Sequence, residues 1–386
     1  MLINPKRRKL FLQVASVASA NLLPSLGCSK QTLSPEWEER IAKFRGTILN
    51  SMQENKVPGV SIAILKNAKL AWTGGFGTKD QTIKSPVDKH TMFEAASMSK
   101  PVFAYAVLKL CERGVIGLDT PLVKYASEPF ITGDRRINQI TARHVLAHTT
   151  GFQDIRSGSN PLRIHFTPGE KWQYSGEGYA YLQSAITAAT GHIDPTNCNT
   201  YEADLKVCGT DFDAFMKANL LTPFNMSQSA YVWRPEFAAN MARPHDDEGR
   251  PLNPGKYTAP DAARYGSMGG LLTTASDYAN FMLEVMAPKA ADSYRLNQES
   301  LKEMLTPQVK VQSGPGYTIS WALGWKIAQT DEFGELISHG GDQAGFHSLA
   351  EFSRVKKSGY IILTNGDKGW KLIQSVAPEM AKWIHA

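Results

Sequence analysis

The stretch FEAASMSKPVF, Phe93–Phe103, sets two serines and a lysine within four residues, Ser97-Met98-Ser99-Lys100, between apolar flanks. Phe93, Ala95 and Ala96 precede them, and Val102, Phe103, Ala104 and Tyr105 follow. A lysine among core-type residues needs a reason, because burying an unpaired ammonium is costly. Apolar residues continue at helical spacing through Leu108, Leu110, Cys111 and Val115, with Gly114 and Gly117 as a stop, which predicts a helix over Lys100 to Gly117. Ser97 and Lys100 then stand at i and i+3 on one face, with Cβ atoms roughly 5–6 Å apart. Hydroxyl and amine can meet. Serine is a poor nucleophile until a neighbour takes its proton, and lysine takes it only where burial or nearby positive charge lowers its pKa. The flanks supply the burial, and the helix start adds a positive field and free N–H groups suited to an oxyanion. Ser99 has Val102 three residues on and no base. Four letters of this kind also arise by chance, so the weight falls on what accompanies them.

The chain has 386 residues, 42% apolar and 20% charged, which is the balance of a globular, enzyme-sized protein rather than a disordered one. Its net charge is +6, but Lys6, Arg7, Arg8 and Lys9 supply four of those charges, leaving +2 for the remainder and no electrostatic case for nucleic acid as a partner. These cations precede LFLQVASVASANLLPSLGC, residues 10–28. A basic start, a short apolar run and small residues describe an export signal over 1–28, too short and too polar for a spanning helix. RKLFLQ resembles a twin-arginine motif with lysine in the second place, and SLGC resembles a lipoprotein cleavage site, which would attach Cys28 to a membrane through a lipid. The expected location is the periplasm or a bacterial membrane surface. Cys198 and Cys208 flank the polar loop NCNTYEADLKVCG and would close a small disulfide there in an oxidising compartment. Cys111 reads as an inert core thiol.

Beyond the signal, SPEWEERIAKFRGTILNSMQ has helical periodicity, with Pro35 directly after a serine cap. GVSIAILK and LAWTGGFG read as two strands joined tightly at Asn67 to Lys69. GGFG lacks a following Gly-Lys-Ser/Thr, so it is not a phosphate loop. A loop-rich, helical stretch runs from Leu118 to about Tyr265. The later helices are TASDYANFMLEVM and NQESLKEMLT. Four strand-like runs follow, GYTISWALGWKIA, GELISHGG, FHSLAEFS and GYIILTNG, then a last helix, IQSVAPEMAKWI, weakened by Pro378. This order predicts an α+β fold with an antiparallel sheet flanked by helices, built from 33–120 plus 262–386, and a mostly helical insert over 121–261.

Two further stretches carry chemistry. FTPGEKWQYSGEGYAYL, Phe166–Leu182, places Tyr174 on a loop, where it can exchange a proton with a serine if nearby cations depress its pKa from about 10. In LISHGGDQAGFHSLAEF a strand runs into His339-Gly340-Gly341, and the two glycines leave its edge bare for a substrate backbone. Other constellations fall away. His144 and His148 stand at i and i+4, but Val145 occupies the glutamate position of a zinc-peptidase helix, so no metal or other cofactor is expected and His148 reads as a capping or packing residue. The chain contains no Gly-x-Ser-x-Gly turn.

Together the three stretches resemble, in this order, the serine hydrolases of the class C β-lactamase, DD-peptidase and family VIII carboxylesterase group, which carry Ser-x-x-Lys, Tyr-x-Asn, and Lys-Thr-Gly or His-x-Gly. ITARHVLAHTTGF and SMGGLLTTASDYANF also resemble stretches of that family. The resemblance covers Pro58 to the C-terminus and implies a β-lactamase/DD-peptidase-like fold. It implies Ser97 as the acylated nucleophile, Lys100 as base or proton shuttle, and Tyr174 as general base or activator of water. The backbone N–H groups of Ser97 and Asp342 would form the oxyanion hole. His339, Gly340, Gly341 and Gly176 would face the substrate. Two departures matter. Gly176 stands where the family has an asparagine that grips an acylamino group, and His339 replaces a lysine that holds a carboxylate. Both point to small esters as the small-molecule partner. β-Lactam or D-amino-acid amide hydrolysis is the alternative, and a non-catalytic sensor of penicillin or peptidoglycan is a second.

Overall fold

The computed structural model describes residues 35–125, 131–156, 161–190, 209–255 and 258–385. The expected export segment 1–28 with Cys28, and the loop between Cys198 and Cys208, lie outside these residues. Cys111 is a free, half-buried thiol, and burial pushes its pKa up to about 12. No helix among the described residues is long and apolar enough to cross a membrane.

In chain order the helices are α1 Pro35–Asn55, α2 Ser99–Glu112, α3 Ala142–Leu146, α4 Gly176–Ala189, α5 Gly209–Met216, α6 Ala259–Gly269, α7 Ala275–Met286, α8 Gln298–Leu305 and α9 Gly369–Ile384. The N-terminal strands are β1 Gly59–Lys66, β2 Lys69–Asp80, β3 Ser85–Pro86 and β4 Phe93–Glu94, and β5 is Leu272–Thr273. The C-terminal strands are β6 Val309–Gly314, β7 Tyr317–Trp321, β8 Lys326–Thr330, β9 Gly334–Gln343, β10 Phe346–Ser353 and β11 Ser358–Thr364.

Nine strands form one antiparallel sheet in the order β3-β2-β1-β11-β10-β9-β8-β7-β6, so the N-terminal and C-terminal strands meet inside it, where β1 pairs with β11. β1 is apolar at nearly every position because both of its faces are covered. Val60, Ile62 and Ile64 pack with Phe44 and Ile48 of α1 and with Leu372, Val376 and Met380 of α9. Ala63 and Leu65 point to the opposite core, which includes residues of α2 and α7. The expected tight link after β1 is present. Asn67 and Ala68 both take positive φ, 52° and 55°, the twist that a two-residue hairpin turn demands.

The sequence reading differs from the structure at the sheet edge. GYTISWALGWKIA is not one strand but two, β7 and β8. Gly324 at φ 85° permits the reversal, and the Ala322 N–H donates to the Trp325 carbonyl at 2.8 Å. β6 had no expectation attached to it. Its sequence, VKVQSG, is mostly polar because it is the outermost strand and largely exposed.

Between 121 and 261 the described residues form helices and irregular segments, with strand contacts reduced to isolated bridges such as Phe152 with Ile164. The boundary expected after residue 261 falls inside α6. That helix lies beside α2, α4 and α5, so it ties the intervening segment to the rest of the molecule.

α9 runs unbroken through Pro378, which sits on its exposed side while Val376, Met380 and Ala381 face the sheet. Burial of that apolar stripe outweighs the hydrogen bond that proline cannot make. Pro378→Ala should therefore raise stability by about 1–3 kcal/mol, the helix-interior difference less a chain-entropy loss. Urea unfolding measures it, and a lower midpoint would mean that α9 is bent to need proline.

Candidate active site

The Ser97 turn is built by strain and by distant hydrogen bonds. β4 pairs with β5, and the Ala95 N–H donates to the Leu271 carbonyl at 2.8 Å. Ala96 then takes φ 48°, a left-handed conformation that costs a non-glycine residue about 1–2 kcal/mol. The reversal leads into a 3-10 turn, Ala96–Met98, that joins α2 and presents Ser97 at the mouth of a cavity. Ser99 holds this turn in place. Its buried hydroxyl donates to the Ala96 carbonyl at 2.7 Å and accepts from the Leu271 N–H at 2.9 Å. The Tyr278 hydroxyl donates to the Met98 carbonyl at 3.0 Å, and the Ser348 hydroxyl to the Ala95 carbonyl at 3.0 Å. SMGGLLTTASDYANF thus acts through Leu271 and Tyr278, as the clamp on the turn.

Lys100 is buried one helical turn on. Its Nζ lies 3.0 Å from Ser97 Oγ and donates to the Met268 carbonyl at 2.7 Å. The amine also sits over the rings of Tyr174, at 4.8 Å, and Tyr179, at 5.5 Å. Burial pulls its pKa down to about 7, against the opposing pull of the Asp154 carboxylate. At neutral pH a large fraction of Lys100 is an uncharged amine.

Tyr174 closes the third side and lines the cavity together with Ser97. Its ring stacks on His148 at 4.2 Å and meets Trp321 edge-on at 5.8 Å. His148 is fixed in turn, with Nδ1 accepting from the Ser175 N–H at 3.0 Å. His144 caps its own short helix, Nδ1 accepting from the Thr141 N–H, so these two histidines serve architecture. The condition for easy proton exchange, a pKa depressed by nearby cations, is not met. Burial raises its pKa above the ordinary phenol value, the Asp154 and Asp342 carboxylates add to this, and the Ser97 contact only partly offsets it. Tyr174 is a neutral phenol.

On the opposite wall, β8 pairs with β9 only from Gly334 to Ser338, while β10 continues along the other edge to Gln343. From His339 onward one edge of β9 therefore has no neighbouring strand. The His339 Nδ1–H donates to the Gly340 carbonyl at 2.7 Å, which leaves Nε2 as a buried lone pair without a partner. Burial, with Lys100 nearby, lowers the His339 pKa to about 3. It is a neutral imidazole throughout the working range.

The glycines serve packing. A Cβ on Gly340 would lie 2.6 Å from the Trp370 ring, and one on Gly341 would lie 2.2 Å from the Ala95 carbonyl oxygen. Gly341 does not line the cavity, contrary to its expected substrate role. Its missing side chain lets β9 press against the Ser97 turn. Gly176 opens α4, and its N–H donates to Asp154 Oδ1 at 2.8 Å.

The cavity measures about 640 Å³, and Ser97, Lys100, Tyr174, Gly176, His339, Gly340 and Asp342 all line it. Asp154, Tyr265, Met268, Trp321 and Trp370 line it as well, and sequence reasoning missed them. Asp154 had one signal, a polar residue directly after HTTGFQ. Trp321 had none beyond alternation along its strand.

A serine and a buried lysine at a helix start, facing a bare strand edge across a cavity, define a serine hydrolase. The sequence matches the family described as Beta-lactamase over residues 44–378, and the chain belongs to that family. Penicillin-binding protein 4* of Bacillus subtilis (strain 168) is 20% identical over 86% of this chain and 74% of its own length. Protein flp of Staphylococcus aureus (strain NCTC 8325 / PS 47) is 23% identical over 82% of this chain, which spans only 61% of flp. Among solved structures, an octameric penicillin-binding protein homologue from Pyrococcus abyssi superposes with a TM-score of 0.69 at 23% identity, covering 89% of this chain and 78% of that one. A class C beta-lactamase gives 0.66 at 19% identity, over 88% and 97%. These likenesses establish the α+β fold.

Ser99→Ala removes one hydroxyl and strands a buried backbone group, the Leu271 N–H, while the Ala96 carbonyl keeps the Ser99 N–H. It should cost about 1–3 kcal/mol of stability by denaturant unfolding. A change within a few tenths of a kcal/mol would show that those bonds do not hold the turn.

Proposed function

We propose that this serine hydrolase works through an acyl-enzyme on Ser97 and that its substrates are small carboxylic esters. The observation that carries the reading is the buried Lys100 amine, 3.0 Å from Ser97 Oγ and with its pKa near 7. A group so placed accepts a proton at neutral pH, whereas Tyr174, held as a phenol, does not.

The sequence of bonds follows. Lys100 takes the Ser97 proton as Oγ attacks the ester carbonyl carbon. The oxyanion lies between the N–H groups of Ser97 and Asp342, each such donor being worth about 3–4 kcal/mol in acyl transfer. As the carbon–oxygen bond to the alcohol breaks, the alcohol oxygen receives the proton through Lys100 and the Tyr174 hydroxyl. Water then attacks the acyl-enzyme, giving its proton back along the same pair to Ser97, and the carboxylic acid departs.

Two features favour esters without a carboxylate. His339 carries no charge above about pH 3, so it offers no cation to a carboxylate. Gly176 has no side-chain amide for an acylamino group. The first 28 residues support export, which would place this activity outside the cytoplasm.

Purified protein should cleave nitrophenyl acetate or butyrate faster than a chromogenic cephalosporin. Ser97→Ala should abolish ester turnover and the fluorophosphonate adduct seen by intact mass. Full turnover in Ser97→Ala would overturn the mechanism, and faster cephalosporin cleavage would overturn the substrate class.

The pH profile follows from Lys100. Its folded pKa lies below the ordinary lysine value, so the free base is lost as pH falls through about 7. For a neutral ester kcat/KM should be half-maximal near pH 7 and fall about tenfold per unit below it. A flat profile from pH 5 to 8, on the order of the range where an imidazole or low-pKa amine titrates, would remove Lys100 as the base.

A further inference from the structure

Among the described residues that line the cavity, the ionisable side chains other than Lys100 and the tyrosines are two carboxylates and a neutral imidazole. Asp154 takes the Gly176 N–H on Oδ1, and its exposed carboxylate accepts no other hydrogen bond from a described residue. Asp342, whose carboxylate lies 3.1 Å from His347 Nδ1, and the buried, unpartnered His339 Nε2 line the same space. The adjoining space, shared through Tyr265 and Gln343, is lined by Glu94, which accepts from the Gln343 amide, and by Asp261, which accepts from Thr258. Against these, among the described lining residues, stands one basic side chain, Lys100, with its pKa lowered to about 7.

Asp154 also has a definite place relative to the reacting atoms. A side chain at position 176 would begin 3.3 Å from its Oδ1, and Gly176, Asp154, Tyr174 and Ser97 line one cavity. The carboxylate therefore occupies the region that an asparagine at 176 would reach. A carboxamide both donates and accepts, so it pairs with the carbonyl and the N–H of an acylamino group. A carboxylate accepts only and is charged. An acylamino carbonyl would find no donor there, whereas an ammonium presents donors alone and the complementary charge.

We propose that Asp154 selects acyl groups bearing an ammonium on the carbon next to the scissile carbonyl, so that the preferred substrates are amino-acyl esters. This rests on the hydrolase reading and names its substrate class. Asp154 is a specificity residue. The acyl chemistry is unchanged, with Ser97 Oγ displacing the alcohol and water releasing the amino acid.

Three methyl esters of one shape test it with the full chain: alanine methyl ester in both enantiomers, methyl isobutyrate, and monomethyl methylmalonate. They place an ammonium, a methyl and a carboxylate at the same carbon. The assay runs at about pH 7, below the ordinary α-amine pKa of about 8. Wild type should prefer an alanine ester and reject the anion. Asp154→Asn keeps an acceptor for the Gly176 N–H but removes the charge. The kcat/KM ratio of the preferred alanine ester to isobutyrate should fall about tenfold or more in this variant, chiefly through KM. Using the ratio cancels the intrinsic reactivity of the amino ester.

An unchanged ratio, with turnover intact, overturns the ammonium proposal and leaves the hydrolase reading standing. No turnover of any ester by wild type overturns the hydrolase reading instead. Calorimetric titration of alaninamide and isobutyramide into wild type and Asp154→Asn then reads the proposal without catalysis. Alaninamide should bind wild type about tenfold tighter than isobutyramide, and equal binding overturns it.

Discussion

The structure depends on one buried amine. Lys100 Nζ is held between the Ser97 hydroxyl and the Met268 carbonyl, over two aromatic rings, with no carboxylate in direct contact. A lysine in that position is tolerable only if it gives up its proton near neutral pH, since an uncompensated buried charge costs several kcal/mol. On the proposed mechanism, the burial of Lys100 without a counter-ion in contact is what supplies a base to Ser97. The carbonyl matters as much as the burial. It orients the amine without neutralising a positive charge, so the Nζ lone pair stays available to Ser97.

Holding that geometry draws on segments far apart in the chain. Ala96 is kept in an unfavourable conformation because its neighbours leave no alternative. Ala95 is bonded to Leu271 and Ser348, Ala96 to Ser99, and Met98 to Tyr278. The sheet contributes by contact, since Gly341 lets β9 approach where any side chain would collide with Ala95. The two walls of the cavity are in this way one unit. Displacing β9 would move the Ser97 turn with it.

Much of this was legible in the sequence and some was not, for physical reasons. β1 could be read because burial on both faces makes every position apolar, and the Ser97–Lys100 pairing because i and i+3 share a helix face whatever surrounds them. His339 with its glycines could be located at a strand end, although Gly341 turned out to serve packing. Local pattern could not show Ala96 at positive φ, which only long-range bonds enforce. Nor could it show the state of Tyr174. A phenol that gives up its proton readily needs cations to depress its pKa, but burial against His148 and Trp321 raises it, even with the Lys100 amine 4.8 Å from the ring. β6 escaped because an edge strand facing solvent carries the composition of a loop.

The charge arrangement links base strength to substrate choice. Burial drives the Lys100 pKa down, and of the groups that act on it Asp154 is the one that pulls it back up. With a lysine at 339 instead of the neutral imidazole, a second cation would depress Lys100 further and would draw carboxylates into the cavity. With an amide in place of Asp154, nothing would oppose burial, and the amine would become a weaker base as its pKa fell further. The exchange of a cation for His339 and the presence of Asp154 therefore act in the same direction. On the proposed mechanism, together they hold Lys100 near the pH at which a general base works best and disfavour anionic substrates. A substrate ammonium lying against Asp154 would screen that carboxylate from Lys100 and favour the free amine, so binding itself would ready the base.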